Sequence, residues 1–196
     1  MDLTGEYRIP APRDRVWQAL NDPAVLESCI PGIEALAKTS DTAFEATVSA
    51  KVGPVKAKFT GAVTLSNLDP PNGYTISGEG KGGAAGFAKG GADVALADDG
   101  DGGTVLTYTA NVQVGGKLAQ IGSRLVSGTA KKMADDFFGR FAETVGGGME
   151  SEQTEPEKIP EPVAAEEPTE QTGLRPAYWI TGLIIAAVIL LIIVGT

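Results

Sequence analysis

The chain has 196 residues, 42% of them hydrophobic and 21% charged, and a mean hydropathy of +0.01, totals that would suit one ordinary soluble domain. It contains no histidine and a single cysteine, Cys29. That excludes Ser-His-Asp and Cys-His nucleophilic sites, imidazole-ligated zinc, CxxC pairs and any intramolecular disulfide, and it suits a reducing compartment. A net charge of −9 and a pI near 4.5 argue against nucleic acid as a partner, because such binders concentrate Lys and Arg.

In chain order, a first strand is predicted over Leu3 to Ile9. Pro12 sits at the first turn of a short helix with Val16, Trp17 and Leu20 on one side, and Asp22-Pro23 opens a second short helix reaching Cys29. A short strand is expected over 33–39. Phe44, Ala46, Val48, Ala50 and Val52 then alternate with Glu45, Thr47, Ser49 and Lys51. Val55, Ala57, Phe59, Gly61, Val63 and Leu65 do the same against Lys56, Lys58, Thr60 and Thr64, so two half-buried strands meet at a Gly53-Pro54 turn. The period of two returns in Tyr74, Ile76 and Gly78, in Ala92, Val94 and Leu96, and in Leu106, Tyr108, Ala110, Val112 and Val114. Asn72-Gly73 and the run from Asp98 to Gly103 supply turns. Last comes a helix of about thirty residues whose apolar stripe is Leu118, Ile121, Leu125, Thr129, Met133, Phe137, Phe141 and Val145. The sum is an α+β domain over 1–146, an antiparallel sheet of about seven strands wrapped round a long C-terminal helix.

Residues 147–173 carry eight Glu, one Lys and four Pro, too little apolar surface to offset chain entropy, so a disordered acidic linker is expected there. Its reach would be roughly 30 Å on average and up to about 80 Å when polyproline-like. Residues 174–196 read as a transmembrane anchor. From 177 to 196 there is no charge and there are eleven Ile, Leu or Val, about 30 Å as a helix. Tyr178 and Trp179 stand at the interface and Arg175 just outside it. MDLTGEYRIP has no apolar stretch of the signal-peptide kind. The expectation is a single-pass protein of the cell membrane with its N-terminal domain in the cytoplasm, its bilayer partner engaged through 177–196.

The order of elements resembles the START-like (SRPBCC), helix-grip superfamily. Four runs are similar to one branch of it, the carbon monoxide dehydrogenase G-subunit family (CoxG): CIPG at 29–32, VGPVKAKFTG at 52–61, YTISGEGKGGAAGFAKGGADV at 74–94 and GGKLAQIGSRLVSGTAKKMADDFFGRF at 115–141. The resemblance covers nearly all of 1–146. It implies a non-catalytic accessory of a molybdenum-containing carbon monoxide dehydrogenase, concerned with the enzyme's association with the membrane. It also implies an apolar cavity between sheet and long helix, and some members end in a hydrophobic tail. With the tether, these points suggest a lipophilic quinone, menaquinone in the first instance, as a ligand that is not covalently bound, carried between the dehydrogenase and the respiratory chain.

The expected lining is Phe44, Val48, Phe59, Val63, Tyr74, Ile76, Leu96, Leu106 and Tyr108 from the strands, and Leu125, Met133, Phe137 and Phe141 from the helix. Interspersed Ala and Gly either leave room for the ligand or let the helix approach closely. Gly78-x-Gly80-x-x-Gly83 has dinucleotide-fingerprint spacing but no βαβ context. The stretch 78–91 is expected instead as a mobile loop whose Phe87 gates the mouth, or as a plain connection. Cys29 is expected as a buried structural thiol, and Lys131 and Lys132 as a solvated face paired with Asp135 and Asp136. No catalytic residue and no metal ligand is expected. A recruitment adaptor with a solid core and a cyclase-like enzyme using Tyr74 or Tyr108 are the alternatives.

Overall fold

The structure is a computed structural model, and residues 1–147 are described. The linker expected beyond residue 147 and the span expected over 177–196 lie outside the described residues. Among the described residues no helix is long and apolar enough to cross a membrane.

Alternation of apolar and polar residues builds seven strands: β1 (Asp2–Ile9), β2 (Ile33–Ser40), β3 (Ala43–Val52), β4 (Val55–Asp69), β5 (Gly73–Lys81), β6 (Phe87–Asp98) and β7 (Thr104–Gly115). All neighbouring pairs are antiparallel, and the sheet runs β1-β7-β6-β5-β4-β3-β2. The first and last parts of the chain therefore meet, with Met1 donating its ammonium to the Val112 carbonyl at 2.7 Å. Between β1 and β2 lie α1 (Arg13–Ala19) and α2 (Pro23–Cys29). Asp22 caps α2 by accepting from the Ala24 N–H at 2.8 Å, and Pro23 at N1 gives up no hydrogen bond. Thr104 is fully buried and donates its hydroxyl to the Ala11 carbonyl at 2.7 Å, fixing the corner between β1 and α1.

Two expectations are corrected. The long C-terminal helix is interrupted: α3 (Lys117–Ile121) stops at Gly122, whose φ of +97° belongs to the region glycine tolerates, and α4 (Ser123–Gly146) starts afresh. The interruption resets the helical phase, so α4 buries Val126, Ala130, Met133, Ala134, Phe137, Phe138, Phe141 and Val145, and not Leu125. The stretch 78–91 is mostly sheet. β5 runs to Lys81 and β6 starts at Phe87, leaving only a 3-10 turn at Gly83–Ala85. Lys131 and Lys132 pair with Asp135 (3.5 Å) and Asp136 (2.6 Å) as expected.

The break and the helix body respond oppositely to alanine. Gly122→Ala forces a side chain to φ +97° and lowers stability by about 1–3 kcal/mol. Gly128→Ala, inside α4 with open space around its would-be Cβ, raises it by roughly 0.5–1 kcal/mol. Urea midpoints should move in opposite directions for the two variants.

Candidate functional site

The interior between the sheet and α4 gathers twelve of the fourteen residues expected to line a pocket. Phe44, Val48, Phe59, Ile76, Leu106, Phe137 and Phe141 are fully buried, and Val63, Tyr74, Leu96, Tyr108 and Met133 nearly so, all in one continuous apolar cluster. The two others lie elsewhere. Leu125 is 55% exposed, because the phase shift at Gly122 turns it outward against the Gly53 turn. Phe87 is 43% exposed on the outer face of β6, where its ring lies over Gly115, its partner on β7; a Cβ at Gly115 would run into that ring. An aromatic side chain covering a cross-strand glycine protects the backbone there, while the rest of the ring stays exposed.

Side-chain size varies along the interior. At the end where β1 passes into α1, rings crowd together: Tyr7 stacks on Phe138 with centroids 4.1 Å apart, Phe138 meets Phe137 edge-on at 5.0 Å, and Trp17 meets Tyr74 edge-on at 5.3 Å. A Cβ on Gly5 would collide with the Tyr108 ring it faces. Toward the middle of the sheet the opposed pairs are small, Ala92 with Ala110, Gly78 with Gly90 and Ala46 with Gly61. Across from the sheet α4 buries Ala130 and Ala134. The backbone of α4 comes closest to β1 and β3 among the strands.

Two concavities bear on access. One, about 430 Å³, is lined by Met1, Val112, Gln113, Val114, Leu118, Ala119, Ser123 and Val126, and it opens where the end of β7 meets the α3–α4 break. It adjoins the inner face through Val112, which pairs with Gly90. The other, about 810 Å³, lies on the opposite, solvent-facing side of the sheet, among Thr64, Thr75, Ser77, Thr109 and Asn111 with Glu79, Lys89 and Asp93. Ala62, Gly90 and Gly91 line it too, between these polar and charged side chains.

Polar groups inside are few and are donors. The Trp17 indole is almost fully buried and its N–H has no hydrogen-bond partner among the described residues. The Tyr7 hydroxyl donates to Asp135 Oδ1 at 2.8 Å. Burial first, and then that hydrogen bond, pushes the Tyr7 phenol far above its ordinary value; burial likewise raises Tyr108. Cys29 is buried, its Sγ 3.8 Å from Thr144 Oγ1, a packed thiol. Trp17 as an unsatisfied donor, Tyr7 and Phe138 are the interior residues that pattern reasoning did not select. Alternation with Leu3, Gly5 and Ile9 could have placed Tyr7, whereas its partners are fixed only by the tertiary fold.

The carbon monoxide dehydrogenase G-subunit family (CoxG) matches residues 5–146. A conserved protein from Geobacillus kaustophilus is similar in structure, with a TM-score of 0.71 and 30% identity over 76% of this chain and 97% of its own. Proteins from Chromobacterium violaceum (TM-score 0.57, 14% identity, 74% of this chain and 97% of the other) and Thermus thermophilus (0.52, 16%, 74% and 99%) share the fold. No curated protein matches the sequence. The described residues thus have the START-like helix-grip fold, a seven-stranded antiparallel sheet closed by a C-terminal helix.

Because the folded state holds the Tyr7 proton more tightly than the unfolded chain, Tyr7 stabilises the fold below the ordinary phenol range, and that stabilisation is lost as pH rises past about 10. Urea midpoints should be level near neutrality and fall in alkali, and Tyr7→Phe should fall less steeply over the same range.

Proposed function

Since the chain belongs to the CoxG family, we propose that it is a non-catalytic accessory of a molybdenum-containing carbon monoxide dehydrogenase, tethered to the membrane by residues 177–196 and holding a lipophilic quinone between sheet and α4. Menaquinone is the ligand proposed first. Its ring lies toward the buried donors Trp17 and Tyr108, and its isoprenoid tail runs past the small residues toward the opening at Val112, Leu118 and Val126. The observation that carries the proposal is the placement of these small residues. Ala92 pairs with Ala110 and Gly78 with Gly90 on the inner face of the sheet, and α4 buries Ala130 and Ala134, while its backbone runs nearest β1 and β3 among the strands. These small residues hold no hydrogen bond between the layers; the hydrogen bond from Tyr7 to Asp135, which joins α4 to the sheet, lies at β1. The dehydrogenase as partner follows from the family's name, and the quinone would connect its soluble oxidation of carbon monoxide to the membrane.

A second reading has an observation in its favour. The buried apolar residues of the interior, Ala46, Ala92, Ala110, Ala130 and Ala134 included, form one continuous cluster, as expected of an adaptor with a solid core that only recruits the enzyme.

Mass spectrometry of lipids carried by the full chain, purified in mild detergent, separates the two. The carrier should bring quinone in near-stoichiometric amount. Ala92→Phe, which fills the mid-sheet space, should lose about ten-fold or more of it while keeping its far-ultraviolet dichroism. Wild-type protein without quinone, together with an Ala92→Phe variant destabilised by about 1–3 kcal/mol from overpacking, would establish the adaptor.

A further inference from the structure

Antiparallel topology sorts the turns of the sheet to two ends. The β2–β3, β4–β5 and β6–β7 turns share one end with the start of α1, and there stand Asp41, Asp69, Asp99, Asp101 and Asp98, the last paired with Arg13 at 3.2 Å. The β3–β4 and β5–β6 turns, α3 and the start of α4 share the other. This second end carries both large apolar side chains that are exposed among the described residues, Phe87 and Leu125. Leu125 and Ile121 adjoin the Gly53 turn, and Pro54, Val55, Ala84 and Ala85 line a concavity beside them together with Lys56 and Lys117. Lys51 and Lys56 are directly opposed across the β3–β4 hairpin, an arrangement that costs stability unless a counter-charge is supplied. Among the described residues Lys51, Lys56, Lys117 and Arg124 have no ion pair, whereas Lys58, Lys81, Lys131 and Lys132 each have one.

We propose that this end of the domain docks on an anionic lipid surface. Phe87 and Leu125 enter the headgroup region, Lys51, Lys56, Lys117 and Arg124 meet lipid phosphates, and the carboxylates of the far end orient the domain by repulsion. A bilayer fits better than a protein partner because the apolar residues stand apart, Phe87 at the start of β6 and Leu125 at the start of α4, on an end that also carries cations with no ion pair. Docking places the opening at Val112, Leu118 and Val126 at headgroup depth, where a lipophile would enter. α4 ends at the other extremity, where Gly146 packs on Pro10. The chain beyond must therefore return along the domain to reach the same membrane, about 36 Å for the 24 residues of α4. Residues 147–173 are long enough to do so.

The inference builds on the proposed tether, and one experiment separates the two. Full-length protein carrying an environment-sensitive fluorophore at Leu125→Cys, or at Asp101→Cys on the far end, is mixed with brominated phosphatidylcholine vesicles with and without phosphatidylglycerol, then floated. The docking end predicts quenching of the Leu125→Cys label by about half or more in the anionic vesicles, relieved by salt and by the pair Lys56→Glu and Lys117→Glu, with the Asp101→Cys label unquenched. Protein that floats with both vesicle types while the two labels behave alike overturns docking and leaves the tether standing. Flotation with anionic vesicles alone supports docking and removes the tether; no flotation with either removes both. Shielding of the Leu125→Cys label only when the dehydrogenase is added assigns this end to the enzyme and overturns the proposal.

Discussion

One mismatch of dimensions governs the molecule: seven strands spaced about 4.8 Å apart make a sheet nearly 30 Å wide, and a single helix is only about 10–12 Å across. A flat sheet would leave most of its apolar face in water. The sheet therefore curls so that β1 and β3 approach α4 from two sides, and α2 packs alongside α4 to cover what remains. Curling costs room at the flanks and creates it in the middle. At the flank, Gly5 gives up its side chain so that Tyr108 can lie flat against β1, and Tyr7 stacks on Phe138 of α4. At mid-sheet stand the small pairs Ala92–Ala110 and Gly78–Gly90. The place for a ligand, under the proposed function, is thus a by-product of closing a wide sheet with a narrow helix.

The same closure makes the two ends of the domain different. At one, Thr104 and Ala11 fix the β1–α1 corner by a buried hydrogen bond and the rings of Trp17 and Tyr74 fill the space. At the other, helix and sheet are joined only by the segment from Gly115 to Gly122, where the chain turns twice through glycine conformations at Gly116 and Gly122. Apolar side chains there, Leu118 and Val126, are buried and form the floor of a surface concavity. Any exchange between interior and surroundings meets least resistance at this end, since separating α3 from β7 breaks side-chain contacts but few backbone hydrogen bonds.

Most of this architecture was legible in the sequence because half-buried strands announce themselves by strict alternation. Ala43–Val52 follows the expected pattern nearly to the residue and Val55–Asp69 runs four residues past the expected end at Leu65, and strand count, order of elements and twelve interior residues came with the pattern. The interruption of the last helix was not legible. Leu118, Ile121 and Leu125 keep the spacing of three and four that a continuous helix would show, with no proline between them. The one local mark is Gly122, which ends α3 at φ +97° and which the apolar spacing around it masks; Ile121 and Leu125 then lie beside the Gly53 turn, more than sixty residues earlier in the chain. The extension of β5 and β6 was hidden for a different reason. Gly78, Gly80 and Gly90 pair through backbone groups alone, and glycine contributes nothing to a hydrophobic pattern. The Tyr7–Asp135 hydrogen bond spans 128 positions, and neither residue signals it locally.

The character of the interior donors bears on what the proposed carrier would do to its cargo. A quinone that changes redox state in a site usually needs a group able to give up and recover protons near neutral pH, the role histidine fills most often. This chain has none, and its interior phenols are moved the wrong way for that role: burial raises both Tyr7 and Tyr108, and Asp135 holds the Tyr7 proton further in place. Such groups donate hydrogen bonds to a carbonyl or accept one from a hydroxyl without surrendering a proton. Oxidised and reduced quinone could then be held by the same Tyr108 hydroxyl rotated about its own bond. Proton and electron transfer would be left to the enzyme that receives the ligand. A site built in this way suits loading at one place and release at another, because neither form of the cargo is trapped by a charge that only the other could satisfy.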